Sequence, residues 1–118
     1  MKYMLLIYVD PQAAPAAGTP EADAEGQAYG TFTQDLVGAG AMVSGDPLHG
    51  NETATTVRSR NGETLTSDGP FAETKEHLAG YYVVDVADLD AAIAWAAKIP
   101  SASHSAVEVR PVMDFSAM

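Results

Sequence analysis

The sequence predicts an α+β fold in which two β-α-β units are joined by an inserted β-hairpin. Apolar runs of strand length occur near both ends and in the second half of the 118 residues. Segments with apolar residues at spacings of three and four, typical of amphipathic helices, follow two of these runs. Asn61-Gly62 predicts a two-residue hairpin turn, because a type I′ turn needs positive φ at both central positions. This order favours a ferredoxin-like βαββαβ domain with both helices on one face of an antiparallel-dominated sheet.

The N-terminal third of the chain predicts the first strand and the first helix. Tyr3 to Val9 is apolar at odd and even positions, which indicates a central strand covered on both faces. Thr19 is a suitable N-cap, Pro20 suits the first helical position, and Gly38-Ala39-Gly40 ends the helix. One face of this helix is rich in aromatic residues and carries Ala22, Glu25, Tyr29, Phe32 and Leu36.

The middle of the chain predicts a short strand and the hairpin. Ala41 to Gly45 is the second strand, and Asp46-Pro47 marks the turn after it. The hairpin strands are Ala54 to Arg60 and Glu63 to Thr66. Because the hairpin is rich in threonine and charged residues, we expect it to form a solvent-facing edge.

The last third predicts a strand, a helix and a strand. Ala79 to Val86 is apolar on both faces, Asp88 caps the second helix, and Val107 to Met113 is the last strand. The sheet face opposite the helices would expose large apolar side chains in a monomer, so we expect a homodimer packed sheet to sheet. The core stripe expected for the second helix is Leu89, Ala92, Ile93 and Ala96, with Trp95 outside it.

Charge and composition exclude several classes of function. The formal net charge of −10 argues against nucleic acid and anionic membranes as partners, since both need a basic surface. The chain contains no cysteine, which excludes disulfides, thiolate chemistry and cysteine-based zinc sites. The first apolar run is too short for a secretory signal or a membrane-spanning helix, so we expect a cytoplasmic protein.

One stretch, Ser67 to Tyr82, combines turn residues, charge and the start of a buried strand. Asp68 heads the turn, and its carboxylate is expected either to accept backbone N–H groups in an Asx turn or to orient a histidine. Glu73 and Lys75 either belong to a salt-bridged loop or line the rim of a ligand pocket. Within ten residues of this stretch lie five ionisable side chains: Asp68, Glu73, Lys75, Glu76 and His77.

Histidines are the candidates for acid–base chemistry, and the chain has three: His49, His77 and His104. His104 lies between the second helix and the last strand, where a strand start can direct a side chain into a cleft. A neutral imidazole there would act as a general base near pH 7, with Asp68 as its orienter. The sequence has no metal-ligand spacing, phosphate loop or nucleophile elbow, so we predict no metal and no cofactor.

Arg110 and Tyr81 complete the candidate binding residues. Arg110 stands among apolar residues of a strand, where it either pairs with Glu108, Glu73 or Glu76 or clamps a carboxylate ligand. Tyr81 is expected to be a core or interface aromatic residue and is our aromatic candidate for contact with a substrate.

Several segments resemble the YCII-related family in its DGPF-motif branch. The signature is Asp68 to Glu76 followed by Gly80-Tyr81-Tyr82, and Lys2 to Tyr8, Ala54 to Arg58 and Val107 to Val112 also resemble that branch. The resemblance covers most of the chain in the expected order. It implies a ferredoxin-like fold assembled as a dimeric α/β barrel.

The resemblance implies less about function, because most family members are uncharacterised. Some are associated with extracytoplasmic-function sigma factors, and a His–Asp pair has been proposed as an active site in the wider group. Similar folds host lyases, isomerases and dehalogenases that act on small organic acids.

Three interpretations therefore remain open. The first is a small-molecule binder or proton-transfer enzyme acting on an organic acid, with His104 as base, Asp68 as orienter and Arg110 as anion clamp. The second is a regulatory protein that binds a sigma-factor-related partner through its acidic surface. In the third, the signature stretch is purely structural, with Asp68 to Phe71 fixing a turn and Phe71 filling the core.

Overall fold

The computed structural model describes residues 1–117 and has the α+β fold that the sequence predicts. A four-stranded sheet carries two helices, and a two-stranded hairpin is inserted between its second and third strands along the chain. Short 3-10 turns cover Asn51–Thr53, Pro100–Ser103 and Phe115–Ala117. The elements in order are β1 (Lys2–Val9), α1 (Pro20–Gly38), β2 (Met42–Pro47), β3 (Thr55–Arg60), β4 (Glu63–Asp68), β5 (His77–Asp85), α2 (Leu89–Ala97) and β6 (Ala106–Pro111).

The main sheet has the strand order β2-β5-β1-β6, and each neighbouring pair is antiparallel. β1 is therefore central, as its apolar pattern predicts. It pairs with β5 from Lys2 opposite Asp85 and with β6 from Tyr3 opposite Pro111. This order, with two α-helical crossovers, is the ferredoxin-like arrangement.

The hydrophobic core lies between the sheet and the two helices. Tyr3, Leu5 and Ile7 alternate along one face of β1 and are buried, and Leu36 of α1 and Ala92 of α2 pack into the same core. Burying a side chain of leucine size stabilises the fold by about 1.5–3 kcal/mol. The alternate residues of β1 (Met4, Leu6 and Tyr8) lie on the opposite face and remain partly exposed in the single chain.

Local capping chemistry fixes where both helices begin. Thr19 Oγ1 accepts a hydrogen bond from the Ala22 N–H at 3.2 Å, and Asp88 Oδ1 accepts one from the Ala91 N–H at 2.9 Å. Pro20 occupies the first turn of α1. Both predicted N-caps are confirmed.

The core stripe predicted for α2 is partly wrong. Ala92 and Ala96 are buried, but Leu89 and Ile93 are each 48% exposed. Trp95, predicted to lie outside the stripe, packs against the core and meets Phe32 edge to face at 6.0 Å. Nearly every position of α2 is apolar, so its pattern does not select one face; the small alanines and the indole ring form the face that packs on the sheet.

β2 is longer than predicted and includes the expected turn residues. Pro47 pairs opposite Gly80, and the Leu48 N–H donates to the Ala79 carbonyl at 2.8 Å. A proline is tolerated here because β2 is an edge strand, whose outer side needs no ladder hydrogen bond. The extension carries Asp46 and Pro47 to the rim of the cavity described below.

The hairpin forms its own two-stranded sheet, and its turn is the one predicted. Asn61 and Gly62 have φ values of 53° and 77°, as a type I′ turn requires. At the open end, the Gly69 N–H donates to the Ala54 carbonyl at 2.7 Å, and Thr56 Oγ1 donates to the Gly69 carbonyl at 2.8 Å. The chain at the end of β4 is therefore held by these bonds of Gly69 and Thr56, and the Asx turn considered for Asp68 is not what fixes it. Asp68 is exposed at the end of β4.

Candidate functional site

A cavity of about 500 Å³ lies between α1 and the sheet, near the start of the helix. Two strand glycines, Gly45 and Gly80, lie in its wall at close approaches that leave no space for a Cβ. A Cβ on Gly80 would lie 3.0 Å from the Asp46 carbonyl oxygen, and one on Gly45 would lie 2.7 Å from the Tyr82 ring. The lining is mainly apolar, with polar groups supplied by α1, β2, β5 and the segment before β6.

Glu25 and His104 form an ion-pair-like contact in the wall of this cavity. The His104 Nε2 atom lies 2.8 Å from Glu25 Oε1, and the two side chains are 17% and 19% exposed. Glu25 projects from α1, and His104 directly follows the 3-10 turn Pro100–Ser103. Helix and turn thus hold the two groups from opposite sides.

A buried serine extends the pair towards a tyrosine. Ser101 Oγ donates to Glu25 Oε1 at 2.9 Å, and the Tyr29 hydroxyl lies 2.6 Å from Ser101 Oγ. Since the single serine proton is used on Glu25, the tyrosine must donate to the serine. Burial raises the pKa of the Tyr29 phenol, which keeps it protonated for this role.

A second serine holds the other side of the imidazole. His104 Nδ1 lies 2.8 Å from Ser105 Oγ, and the Asp10 N–H donates to that oxygen at 3.0 Å. Two arrangements of protons use all of these contacts, and in both of them His104 donates from Nε2 to ionised Glu25. In the first the ring is neutral and Ser105 donates to Nδ1; in the second the ring is charged and Nδ1 donates to Ser105. The proton on Nε2 is assigned from this network.

This arrangement leaves one oxygen of Glu25 available to a ligand. Both protein hydrogen bonds to the carboxylate fall on Oε1. Within residues 1–117, no hydrogen bond is formed to Oε2. Both ring nitrogens of His104 are already engaged. The proton acceptor nearest to an incoming ligand is therefore Glu25, and His104 holds it in place.

A second polar pair lines the cavity further along α1. Thr33 Oγ1 lies 2.8 Å from the Tyr82 hydroxyl, and the Tyr82 ring packs edge to face on Phe32 at 5.2 Å. The Tyr81 hydroxyl donates to Asp46 Oδ2 at 2.9 Å, and this hydrogen bond raises the pKa of Tyr81. Tyr82 pairs opposite the buried Leu5 and faces the cavity, whereas Tyr81 pairs opposite Leu6 and directs its hydroxyl to the other face of the sheet.

The structure places the two predicted catalytic residues apart. His104 lines the cavity, whereas Asp68 lies on the exposed end of the hairpin and is not part of the cavity wall. The carboxylate beside His104 belongs to Glu25. A histidine–carboxylate pair is present, but with a partner that the sequence analysis did not select.

The predicted binding residues are distributed over the surface. Arg110 Nε lies 3.6 Å from Glu108 Oε2, and both side chains are exposed, so this predicted pair contributes little to stability. Lys75 Nζ lies 3.5 Å from the largely buried Asp10 carboxylate, and Glu73 is exposed in the loop before β5. Of this set, only Tyr81 lines the cavity.

The signature stretch lines a different depression. A groove of about 870 Å³ lies between β3, the stretch after Gly69 and the open sheet face at Tyr8. His77 Nε2 lies 2.8 Å from the Thr74 carbonyl oxygen, which ties the loop to the start of β5. Phe71, expected to fill the core, is 80% exposed. Within the described residues, no cluster of three or more histidine, aspartate or glutamate side chains is positioned to hold a metal ion.

Glu25 is the residue that sequence reasoning missed, although the sequence carried a signal for it. It lies among Ala22, Tyr29 and Phe32 on the apolar face of α1, where a carboxylate is unusual. A titratable group on the core-facing side of a helix is a candidate for a functional site. Ser101 carried no comparable signal, because a serine after a proline also suits an ordinary turn.

Comparison with known proteins identifies the family of this chain and assigns no reaction to it. The model of the YCII-related domain matches residues 1–116. An uncharacterised protein of Rhizobium meliloti (strain 1021) is 36% identical over 114 residues, which cover 95% of this chain and 92% of that protein. In the described part of the chain, neither helix combines the length and the apolar character needed to cross a bilayer. The chain belongs to the family of proteins built on a YCII-related domain.

Proposed function

We propose that the cavity between α1 and the sheet binds a small molecule and that Glu25 accepts a proton from it. The observation that carries this proposal is the one-sided hydrogen bonding of the carboxylate, whose Oε1 is held by His104 and Ser101. A general base must keep a fixed position and still offer a lone pair to the substrate. The Oε2 atom of Glu25 meets both requirements.

His104 and Ser101 are positioning residues in this proposal. Each donates to Oε1, and together they fix the plane of the carboxylate. His104 is fixed in turn by Ser105. After Glu25 takes up a proton, the imidazole and the serine still bind Oε1, so the network does not have to rearrange during the transfer.

The geometry favours a neutral carbon acid over the organic acid suggested by the sequence. An anionic substrate needs a cationic partner, and Arg110, the intended clamp, lies on β6 beside Glu108 and away from the cavity wall. The proposed reaction is therefore proton abstraction next to a carbonyl group, with the one free hydroxyl proton of the Thr33–Tyr82 pair available to the carbonyl oxygen.

Hydrogen–deuterium exchange of a ketone tests this assignment. Phenylacetone in D₂O exchanges its benzylic protons, which NMR follows directly. We expect wild-type protein to accelerate this exchange and Glu25→Gln to lose about 100-fold of the acceleration, since general bases contribute roughly 10²–10⁴-fold. His104→Gln should lose less of the acceleration, because the Oε2 atom of Glu25 remains as the proton acceptor.

Two further variants make the exchange experiment decisive. Glu21→Gln removes a carboxylate from the same helix outside the cavity and should behave like wild type. Asp68→Asn should also behave like wild type. If Asp68→Asn loses the accelerated exchange and Glu25→Gln keeps it, the proton acceptor is Asp68 and the proposal is wrong. The proposal is also wrong if the wild-type protein does not accelerate the exchange.

We also propose that the chain forms a homodimer through the open face of its sheet. Met4, Leu6 and Tyr8 of β1 and Val83 of β5 lie on this face and are partly exposed in the single chain. Glu108 and Arg110 border these apolar side chains on β6. An exposed apolar patch with a polar border is typical of an interface. A dimer of this form corresponds to the dimeric α/β barrel suggested by the resemblance to the DGPF-motif branch.

A regulatory role through a protein partner is the second candidate function. Phe71 is 80% exposed and Val57 is 61% exposed, and both line the groove beside the hairpin. Exposed apolar side chains on a protruding segment favour a protein interface. A pull-down from the native cell that recovers a stoichiometric partner, lost with Phe71→Ser but kept with Glu25→Gln, would support this role independently of the cavity.

A further inference from the structure

We propose that the cavity also binds a small apolar amine, as its ammonium ion with the nitrogen on Glu25 Oε2, and that this amine competes with the carbon acid. The inference rests on the proposed function because the amine occupies the same cavity and the oxygen that would otherwise accept the proton. It adds the charge of the ligand, which the sequence resemblance does not give.

The cavity has a polar end and an apolar remainder. Glu25, His104 and Ser101 stand together at the polar end, while Ile7, Val9 and Met42 belong to the apolar part of the lining. A volume of about 500 Å³ is within the usual range for small-molecule sites, roughly 300–1,000 Å³. An apolar molecule with one polar head matches this division.

The cations of the chain all lie outside the cavity. The protein has six lysine and arginine residues against sixteen aspartate and glutamate residues, and all six are among the described residues. None of them lines the cavity, whereas the Glu25 carboxylate does. The six are Lys2 on β1, Arg58 and Arg60 on the hairpin, Lys75 beside Asp10, Lys98 over the Trp95 ring and Arg110 beside Glu108.

His104 does not compensate for this absence of cations. Its Nε2 faces Glu25 and its Nδ1 faces Ser105, so a ligand carboxylate finds neither nitrogen free. A carboxylate placed near Oε2 would meet a like charge in a partly desolvated wall. An ammonium group in the same place donates to Oε2 in a charge-assisted hydrogen bond.

Aromatic side chains favour the same ligand charge. Tyr29 and Tyr82 both line the cavity, and tyrosine rings attract cations electrostatically. The overall negative charge of the protein raises the local concentration of cations and lowers that of anions. The contacts inside the cavity and the net charge of the protein therefore both favour a cationic ligand over an anionic one.

Three matched probes test the inference: 2-phenylethylamine, 2-phenylethanol and phenylacetate, which share the phenyl group and differ in head-group charge. Titration of ¹⁵N-labelled protein at neutral pH, at one fixed salt concentration, follows the amides of Gly45 and Gly80 in the cavity wall. We expect saturable shifts with the amine and a Kd at least ~10-fold below that of the alcohol. Phenylacetate should bind more weakly than the alcohol.

Matched variants separate the contact of the amine with Glu25 from the effect of the net negative charge of the protein. Glu25→Gln should reduce the advantage of the amine over the alcohol to about 2-fold, while Glu21→Gln, which removes the same charge outside the cavity, should keep it. Intermolecular nuclear Overhauser contacts from the amine CH₂ group to Glu25 in wild-type protein give the same information if the Gln variant does not fold.

Three results would overturn the inference: phenylacetate binding as tightly as the amine, an equal amine preference in Glu25→Gln and wild type, or no saturable shift with any probe at millimolar concentration. The first result, combined with Glu25-dependent exchange of phenylacetone, would reject only the amine and leave the proton-transfer proposal standing. Amine binding without Glu25-dependent exchange would reject the proton transfer alone.

Discussion

At the scale of single residues, Glu25 shows how a carboxylate is tolerated on the apolar face of a helix. An ionised carboxylate loses hydration when it is partly buried, and only specific hydrogen bonds offset that loss. His104 and Ser101 supply two such bonds on one oxygen. Because Ser101 also accepts from Tyr29, it is the residue whose loss leaves most groups without a partner.

Replacement of Ser101 should therefore destabilise the fold. Ser101→Ala leaves Glu25 and Tyr29 each without one hydrogen-bond partner and should lower the free energy of unfolding by about 1–3 kcal/mol. Ser103 lies in the same 3-10 turn but is exposed, so Ser103→Ala should change it by less than about 0.5 kcal/mol. Urea denaturation measures both; equal effects of the two variants would contradict the network.

Tyr29 should make the free energy of unfolding depend on pH in the alkaline range. Burial raises the pKa of its phenol in the folded protein above the ordinary value of 10.0. A raised folded-state pKa gives stability that is fully present below the unfolded value and is lost as pH rises through the folded value. The free energy of unfolding should fall above about pH 10, and Tyr29→Phe should reduce this slope. An identical slope in wild type and Tyr29→Phe would contradict the assignment.

At the scale of secondary-structure elements, the cavity depends on how closely β2 and β5 approach each other. Gly80 faces the Asp46 carbonyl and the Pro47 Cα atom, which a Cβ would meet at 3.0 and 3.2 Å. These neighbours are backbone atoms of the edge strand and cannot rotate away. The glycine is therefore required by the close pairing of β2 and β5.

An alanine at Gly80 should separate these strands. Gly80→Ala should lower the free energy of unfolding by about 1–3 kcal/mol, the usual cost of overpacking, and weaken ligand binding in the cavity. Gly30 in α1 has open space around its missing Cβ, so Gly30→Ala should instead stabilise the protein by up to about 1 kcal/mol. Thermal unfolding compares the two variants, and the same sign for both would contradict this account.

The elements that were predictable are those fixed by local chemistry. Thr19 and Asp88 cap their helices through bonds within one turn, and Asn61-Gly62 fixes its own turn geometry. The buried face of α2 was not predictable, since that helix is apolar almost all round. Its exposed Leu89 and its packed Trp95 follow from the shape of the core and not from the spacing of residues.

The part of the candidate site that depends on local chain order was predictable, and the part that depends on tertiary packing was not. The place of His104 before the last strand correctly suggested a cleft, because local chain order decides it. The partner of His104 is 79 residues away, and only the packing of α1 against the 3-10 turn selects it. Asp68 was the more conspicuous carboxylate in the sequence, but the hairpin carries it to the surface.

At the scale of the whole molecule, the open sheet face sets the expected assembly. Leu6 lies in the central strand of that face, opposite Tyr81 on β5 and Glu108 on β6. Met4 and Val83 on this face are apolar and partly exposed, whereas the helix-covered face of the same sheet is buried. A second copy of the chain would bury this face without any change in the fold.

Charge placed on the open face should therefore prevent the proposed dimer from forming. Leu6→Asp should convert a dimeric wild type to a monomer at micromolar concentration, because an aspartate there would be buried unpaired in the interface. Ile93 is exposed on α2, away from this face, so Ile93→Asp should remain dimeric. Light scattering after size exclusion measures both masses. A wild-type protein with the mass of one chain would contradict the assembly.

The assignment of Glu25 as proton acceptor and His104 as its support is tested most directly by the protonation state of the imidazole. Nitrogen-15 NMR of the histidine side chain distinguishes the two neutral tautomers and the charged form. We expect a proton on Nε2 of His104, facing Glu25. A proton on Nδ1 with a bare Nε2 would make His104 the base, place the proton on Glu25 and contradict the account.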